Sequence, residues 1–181
     1  MTILFFIDLD GVVNISAGPN PTWKHSLEHT EPHLIESLNN FFRELSSKAN
    51  FHLVMSSSWR EDFEDALEQL EKGGFKFNHK FIGATTFEKS KDGVFRGEEI
   101  AAWLRDHPAY DTYFCIDDDI EQICAEHINL IPRRHCVKTD PSVGFTKQTS
   151  QKIFQRIEAE AKRLHKEASK AMAEATIAKI A

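Results

Sequence analysis

Apolar runs that end abruptly at polar residues divide the chain into predicted strands. The first run, "ILFFID", is continuous and is cut off by acidic residues and glycine. Such a run is typical of a parallel strand that is buried on both faces. Two further strands are predicted at "FHLVM" and "TYFCID", a last short one at "HCVKTD", and a short strand or loop at "HKFIGATTF".

Between these runs, apolar residues recur at the spacing of a helix. A helix is predicted to begin at Pro32, because six apolar residues share one helical face: Leu34, Ile35, Leu38, Phe41, Phe42 and Leu45. The segments "REDFEDALEQLEKGG" and "RGEEIAAWLRDHP" predict two more helices. From about Thr146 the chain lacks glycine and proline and is rich in Ala, Glu and Lys, which predicts a long C-terminal helix.

Strands that alternate with helices predict an α/β fold, a doubly wound, Rossmann-like parallel sheet flanked by helices. We expect a catalytic domain over residues 1–145 and a C-terminal helical extension over residues 146–181. Functional sites in such sheets lie beyond the carboxyl ends of the strands. Three polar sets directly follow strands and should therefore meet at one edge: Asp8 with Asp10, Ser56 with Ser57, and Asp117 with Asp118.

Composition narrows the class of protein. The 181 residues are 41% hydrophobic and 28% charged, which is typical of a globular protein with one core. The net charge of -6 argues against a generally nucleic-acid-binding surface. No apolar run approaches the roughly 20 residues that span a bilayer, and the N-terminus lacks the basic region of a signal peptide. Three cysteines without metal-like spacing fit buried thiols, so we expect a cytoplasmic protein without membrane contact.

The pair Asp8 and Asp10 indicates a bound cation. Two carboxylates this close repel each other and raise each other's pKa unless positive charge lies between them. Mg²⁺ takes oxygen ligands and commonly bridges a carboxylate to a phosphate. Carboxylates from two strands, together with one backbone carbonyl, would form such a site.

The same residues resemble a known family. "DLDGVV" resembles the first motif, D-x-D-G-x-x, of the haloacid dehalogenase-like (HAD) phosphohydrolases. The serines after the second strand resemble the second motif, a Lys or Arg the third, and "IDDD" the fourth, in the family's order over residues 3 to about 145. "SSSWR", "RGEEIAAWL" and "VKTDPSVGFT" are similar to a small, capless branch related to phosphatase modules of RNA-repair and polynucleotide kinase-phosphatase proteins.

This resemblance implies a role for each acidic residue. Asp8 would be the nucleophile that forms an aspartyl-phosphate. Asp10 would protonate the leaving oxygen and then deprotonate the hydrolytic water, while its backbone carbonyl binds Mg²⁺. Asp8, Asp117 and Asp118 would complete the metal site.

The resemblance also implies phosphate-binding groups after the first two strands. Ser56, with Ser57 beside it, would donate hydrogen bonds to the phosphoryl oxygens, and either serine is a candidate for the motif hydroxyl. Gly11 would allow the chain to turn sharply below the phosphate. Trp59, which follows the serines, is expected in the hydrophobic core.

A cation is expected to neutralise the phosphoryl oxygens in the transition state. Arg96, Lys91 and Lys89 are the candidates, and we favour Arg96 because it opens a helix from which a side chain can reach the strand ends. Arg60 is a candidate for a second, bidentate phosphate clamp.

These features predict a Mg²⁺-dependent phosphatase. The loop after the first strand and the stretch from Arg60 to Arg96 are too short for a lid domain, which in the family that the chain resembles implies an open, capless site. An open site suits nucleic-acid ends or phosphoproteins, and a nucleotide or small phosphate ester is also compatible. Two alternatives remain: a receiver-like signalling domain that holds phosphate on Asp, and a catalytically silent HAD scaffold that binds a protein through its C-terminal helix.

Overall fold

The strands form one parallel sheet, as the sequence predicts. The computed structural model describes residues 1–17, 30–86, 95–124 and 130–180, with side chains described as far as residue 176. The sheet order is β3-β2-β1-β4-β5, and every pairing is parallel. The strands are β1 (Thr2–Ile7), β2 (Asn50–Met55), β3 (Phe81–Ala84), β4 (Thr112–Asp117) and β5 (Cys136–Lys138).

Helices lie on both sides of the sheet. They are α1 (Pro32–Ser46), α2 (Phe63–Lys72), α3 (Arg96–Asp106), α4 (Glu121–Cys124) and α5 (Lys147–Ile180). Proline stands at the start of α1, where its fixed φ suits a helix and its missing N–H leaves no bond unmade. A 3₁₀ turn, Ser58–Asp62, follows β2 directly and carries polar side chains toward the edge of the sheet.

Strand β1 is buried on both faces, which explains its continuous apolar run. Ile3, Phe5 and Ile7 point into one core, which contains the inner faces of α1, α2 and α5. Leu4 and Phe6 point into a second core, which α3 and α4 cover. The prediction of a doubly wound α/β fold is therefore confirmed.

Helix α5 is part of the first core along its early turns. Ile153 and Ile157 of α5 are buried in this core, beside Phe145 from the preceding turn. The side chains of residues 165–176 are exposed. The boundary between residues 145 and 146 stays a prediction. Among the residues that the structure describes, no helix combines the length and the apolar character that crossing a bilayer requires.

Backbone hydrogen bonds continue the sheet just past the ends of its central strands. The N–H of Asp8 donates to Ile116 O at 2.9 Å, and the N–H of Ser56 donates to Ile7 O at 2.9 Å. The N–H of Thr139 donates to Asp117 O at 2.9 Å. These bonds hold the residues that follow β1, β2 and β5 against the last residues of the neighbouring strands at the carboxyl edge.

Candidate active site

Three carboxylates meet at the carboxyl edge of the sheet. Asp8 follows β1, while Asp117 ends β4 and Asp118 follows it. Each offers one oxygen to a group of atoms that lie within 4.8 Å of one another. Asp8 and Asp117 are buried, with 4% and 1% of their surface exposed, so their charges need compensation. The sequence prediction that these acids converge is confirmed.

Arg96 lies beside two of these carboxylates. Its Nη1 is 2.5 Å from Asp117 Oδ2 and 3.2 Å from Asp8 Oδ2. Arg96 is the first residue of α3, as the sequence suggested. Burial lowers the pKa of its guanidinium, but the two carboxylates outweigh burial and raise it. Lys89 and Lys91, the other candidates for this position, lie outside the described residues.

The Asp8 carboxyl has a strongly raised pKa. Burial is the main cause and the charge of Asp117 the second, and together they raise the pKa of Asp8 to about 7. Arg96 and a hydrogen bond from Ser57 act in the opposite direction. Three carboxylates against one guanidinium leave an excess of negative charge at the site. A bound divalent cation would balance that excess and favour the ionised form of Asp8.

The two candidate serines occupy different positions. Ser57 hydrogen-bonds to the Asp8 carboxylate, and its Oγ also accepts the N–H of Leu9 at 3.4 Å. Ser56 is buried, and its Oγ has no hydrogen-bond partner among the residues that the structure describes. Ser57 is therefore the hydroxyl that the fold brings to Asp8.

Asp10 is held by hydrogen bonds to both of its oxygens. Asn14 Nδ2 donates to Oδ1 at 2.8 Å, and Trp59 Nε1 donates to Oδ2 at 3.0 Å. The Ser58 hydroxyl lies 3.5 Å from Oδ2. The Asp10 side chain is thus held by neutral donors, and its oxygens are not among the carboxylate atoms that lie within 4.8 Å of one another.

The turn after β1 brings the backbone close to Asp118. Gly11 has φ +67, in the left-handed region, and its N–H donates to Asn14 Oδ1 at 3.0 Å. A Cβ at this position would lie 2.3 Å from Asp118 Oδ2. The same Asp118 oxygen accepts the Ser16 hydroxyl at 2.9 Å. Glycine is therefore required here by both the turn and the close approach of the carboxylate.

Arg60 is bound to Glu99 and to the backbone of Ser57. Its Nη2 lies 2.8 Å from both carboxylate oxygens of Glu99, and its Nη1 donates to Ser57 O at 2.5 Å. The side chains of Arg60 and Glu99 are only 5% and 1% exposed. These bonds position the backbone of Ser57, through a contact that sequence spacing does not reveal. The clamp on phosphate that the sequence suggests for Arg60 stays a prediction.

A cavity of about 440 Å³ opens over these residues. Asp8, Asp10 and Arg96 line it together with Ser58 and Asp118. Sequence analysis missed Asn14, Ser16 and Ser58, and it assigned Trp59 to the core alone. Their only sequence signal is closeness to the two motifs, because each contact depends on the course of a turn.

The donor set fits a hard divalent cation. Carboxylate oxygens from two strands are the ligands that Mg²⁺ or a similar ion prefers. The fit is supported by the excess negative charge of three carboxylates whose oxygens lie within 4.8 Å of one another. The arrangement brings Asp8, Asp10, Asp118 and Arg96 to one cavity in which a divalent cation could be held.

The comparisons with known proteins agree with this geometry. The family model described as the HAD domain in Swiss Army Knife RNA repair proteins matches residues 4–150. The search of curated proteins and the search of solved structures each found no match. The matched range contains the three carboxylates, Arg96 and the serines after β2. The chain therefore belongs to the family of HAD domains in Swiss Army Knife RNA repair proteins.

Proposed function

We propose that this protein is a Mg²⁺-dependent phosphatase that hydrolyses a phosphomonoester at a nucleic-acid end. The observation that carries the proposal is the cluster of Asp8, Asp117 and Asp118 beside Arg96, at a cavity that Asp8, Asp118 and Arg96 line. The family supports phosphohydrolase chemistry, and its description as a domain of RNA repair proteins supports a nucleic-acid end as substrate.

In the first step, an Asp8 oxygen attacks phosphorus, and the bond from phosphorus to the ester oxygen breaks. Asp10 gives its proton to the departing oxygen, so that the alcohol leaves neutral. Arg96 and the Ser57 hydroxyl donate hydrogen bonds to the phosphoryl oxygens as their charge develops. Asp8, Asp117 and Asp118 would hold Mg²⁺, which when bound would supply positive charge against the negative charge of the transferring phosphoryl group.

In the second step, Asp10 takes a proton from a water molecule that attacks the phosphorus of the aspartyl-phosphate. The bond between Asp8 and phosphorus breaks, inorganic phosphate leaves, and both acids return to their starting states. The bonds from Asn14 and Trp59 keep the Asp10 carboxylate in one orientation for both proton transfers.

The test compares variants in the hydrolysis of p-nitrophenyl phosphate, nucleotides, sugar phosphates, and 3′- and 5′-phosphorylated oligonucleotides with Mg²⁺. Asp8→Asn should abolish turnover, and Asp10→Asn should lower kcat about 10²–10⁴-fold. A chelator should silence the wild type reversibly. Asp106→Asn, at an exposed acid on the end of α3, is the matched control and should keep full activity.

Two results would contradict the proposal. Activity that survives Asp8→Asn would place the nucleophile on another residue. A covalent phosphate that persists on Asp8, detected by intact mass after acid quenching, would indicate a receiver-like switch instead of a hydrolase. The thermal midpoint of no variant should fall well below that of the wild type, which excludes unfolding as the cause of lost activity.

A further inference from the structure

A second cavity adjoins the active site. Its volume is about 590 Å³, and its walls come from the end of β5, the turn at residues 140–144 and the start of α5. Pro141 lines both this cavity and the active-site cavity. We propose that this second cavity binds the next phosphate of a nucleic-acid strand whose terminal phosphate occupies the active site. The inference rests on the proposed function and defines its substrate more narrowly.

The charged side chains of the cavity favour an anion. Lys138 and Lys152 line it, both are exposed, and neither forms an ion pair with another described residue. Asp140 also lines it, but its Oδ1 accepts the N–H and the hydroxyl of Ser142 at 2.9 and 2.6 Å. Two ammonium groups therefore face the cavity with one carboxylate that is engaged in its own turn.

Backbone and hydroxyl groups add to this preference. Helix α5 begins at Lys147 and runs for 34 residues, and Gln148 and Thr149 of its first turn line the cavity. The N-terminus of a helix carries a partial positive charge. Thr139, another lining residue, is 2% exposed, and its hydroxyl has no partner among the described residues. A buried hydroxyl without a partner is unusual, and a bound phosphate oxygen or a water beside it would satisfy it.

Residues of the second cavity lie next to the carboxylate cluster in the sheet. Lys138 lies opposite Asp117 in the register of β4 and β5, and the N–H of Thr139 donates to Asp117 O. The wall of the second cavity therefore begins next to the carboxylate cluster. A nucleoside monophosphate or a sugar phosphate has one phosphate and fills only the first cavity. An oligonucleotide end also presents a phosphodiester, so it can fill both.

The test measures binding, so that it does not depend on turnover. Fluorescence anisotropy is recorded for short single-stranded RNA and DNA with a terminal phosphate, bound by the 181-residue chain with Asp8→Asn in the presence of Mg²⁺. Adding Lys138→Gln and Lys152→Gln should raise Kd about tenfold and lower the slope of log K against log salt by about 0.7, the value for one lost phosphate contact on a single strand. Binding of a nucleoside monophosphate should change less than twofold.

The matched control adds Lys162→Gln and Lys166→Gln, two exposed lysines farther along α5 that change net charge equally. Equal Kd values and equal salt slopes in the two double-lysine variants would overturn the subsite. A phosphopeptide that needs Lys138 and Lys152, while the oligonucleotides do not bind, would overturn the nucleic-acid assignment. Hydrolysis of p-nitrophenyl phosphate by the wild type tests the proposed function separately, so the two failures are distinguishable.

Discussion

The carboxylate of Asp10 is fixed by two neutral donors that come from different parts of the chain. Asn14 belongs to the turn after β1, and Trp59 belongs to the 3₁₀ turn after β2. Trp59 also packs against the first core, so its ring is anchored while its N–H reaches the cavity. A group that moves protons benefits from such fixed orientation, because misplacement of the carboxylate lowers the rate of each transfer.

Gly11 provides a sharp test of the metal site at this scale. A methyl group there would displace Asp118, because its Cβ would stand 2.3 Å from Asp118 Oδ2. We expect Gly11→Ala to raise the Mg²⁺ concentration for half-maximal activity at least tenfold, which corresponds to about 1.4 kcal/mol of binding free energy. The measurement is a titration of phosphatase activity with Mg²⁺.

Gly74→Ala is the matched control for this change. Gly74 has φ +93, so alanine is strained there too, but a Cβ would meet no atom within 4 Å. Both variants should lose about 1 kcal/mol of stability or somewhat more from the left-handed backbone. Only Gly11→Ala should need more Mg²⁺, and an equal requirement in both variants would show that strain, and not the clash with Asp118, is responsible.

Residue-scale contacts were only partly predictable from the sequence. The acids could be placed because each directly follows a strand, and Arg96 because it opens a helix. The choice between Ser56 and Ser57 depends on how the chain leaves β2, which hydrophobic periodicity does not encode. The pairing of Arg60 with Glu99, 39 residues later, depends on the packing of α3 against the turn after β2.

At the scale of elements, α3 supplies two charged groups to the edge of the sheet. Arg96 and Glu99 are three residues apart and so lie on the same face of the helix. Arg96 contacts Asp8 and Asp117, while Glu99 contacts Arg60 below the serines. Burial raises the pKa of Glu99 and lowers the pKa of Arg60, because desolvation disfavours the charged form of each side chain. The pair thus fixes α3 to the turn after β2.

We expect Glu99→Gln to destabilise the protein strongly, because it leaves Arg60 buried without its carboxylate. Loss of one partner from a buried ion pair typically lowers the free energy of unfolding by about 3–5 kcal/mol, and we expect a loss of about this size for Glu99→Gln. Urea unfolding followed by circular dichroism would measure it. Glu68→Gln is the control, since Glu68 pairs with Lys72 at an exposed position and should change the free energy of unfolding by less than about 0.5 kcal/mol.

A second comparison separates the charge from the packing. Replacing both partners, Arg60→Met with Glu99→Leu, should recover much of the lost free energy, because no buried charge is left unpaired. If Glu99→Gln and Glu68→Gln had equal effects, the buried pair would not be what holds α3 in place.

The elements themselves were well predicted, since the major helices and strands follow from apolar periodicity and from the residues that interrupt it. Strand β3 was ambiguous, and the structure explains why. Its side chains are only partly buried at the sheet edge, and a register shift occurs where it pairs with Leu53 and Val54 of β2. Such an edge strand lacks the continuous apolar run of β1, so its sequence resembles a loop.

At the scale of the whole molecule, the excess negative charge of the carboxylate cluster makes the free energy of unfolding depend on pH and on bound Mg²⁺. The pKa of Asp8 is about 7 in the folded chain and close to 3.8 when unfolded. The folded state therefore binds more protons between these values, and the contribution of Asp8 to stability is lost as pH rises through about 7. A bound cation lowers the pKa of Asp8 and removes this loss.

We therefore predict that Mg²⁺ stabilises the protein more at about pH 7.5 than at about pH 5.5. The difference in the free energy of unfolding should be about 2 kcal/mol, since each pKa unit corresponds to about 1.4 kcal/mol. Urea unfolding with Mg²⁺ and with chelator, at both pH values, measures it. Burial lowers the pKa of His135, so its contribution to stability is greater at high pH. Comparing Mg²⁺ with chelator at one pH cancels this contribution. Asp8→Asn should remove the difference, and a Mg²⁺ effect independent of pH in the wild type would show that the ion does not bind at Asp8.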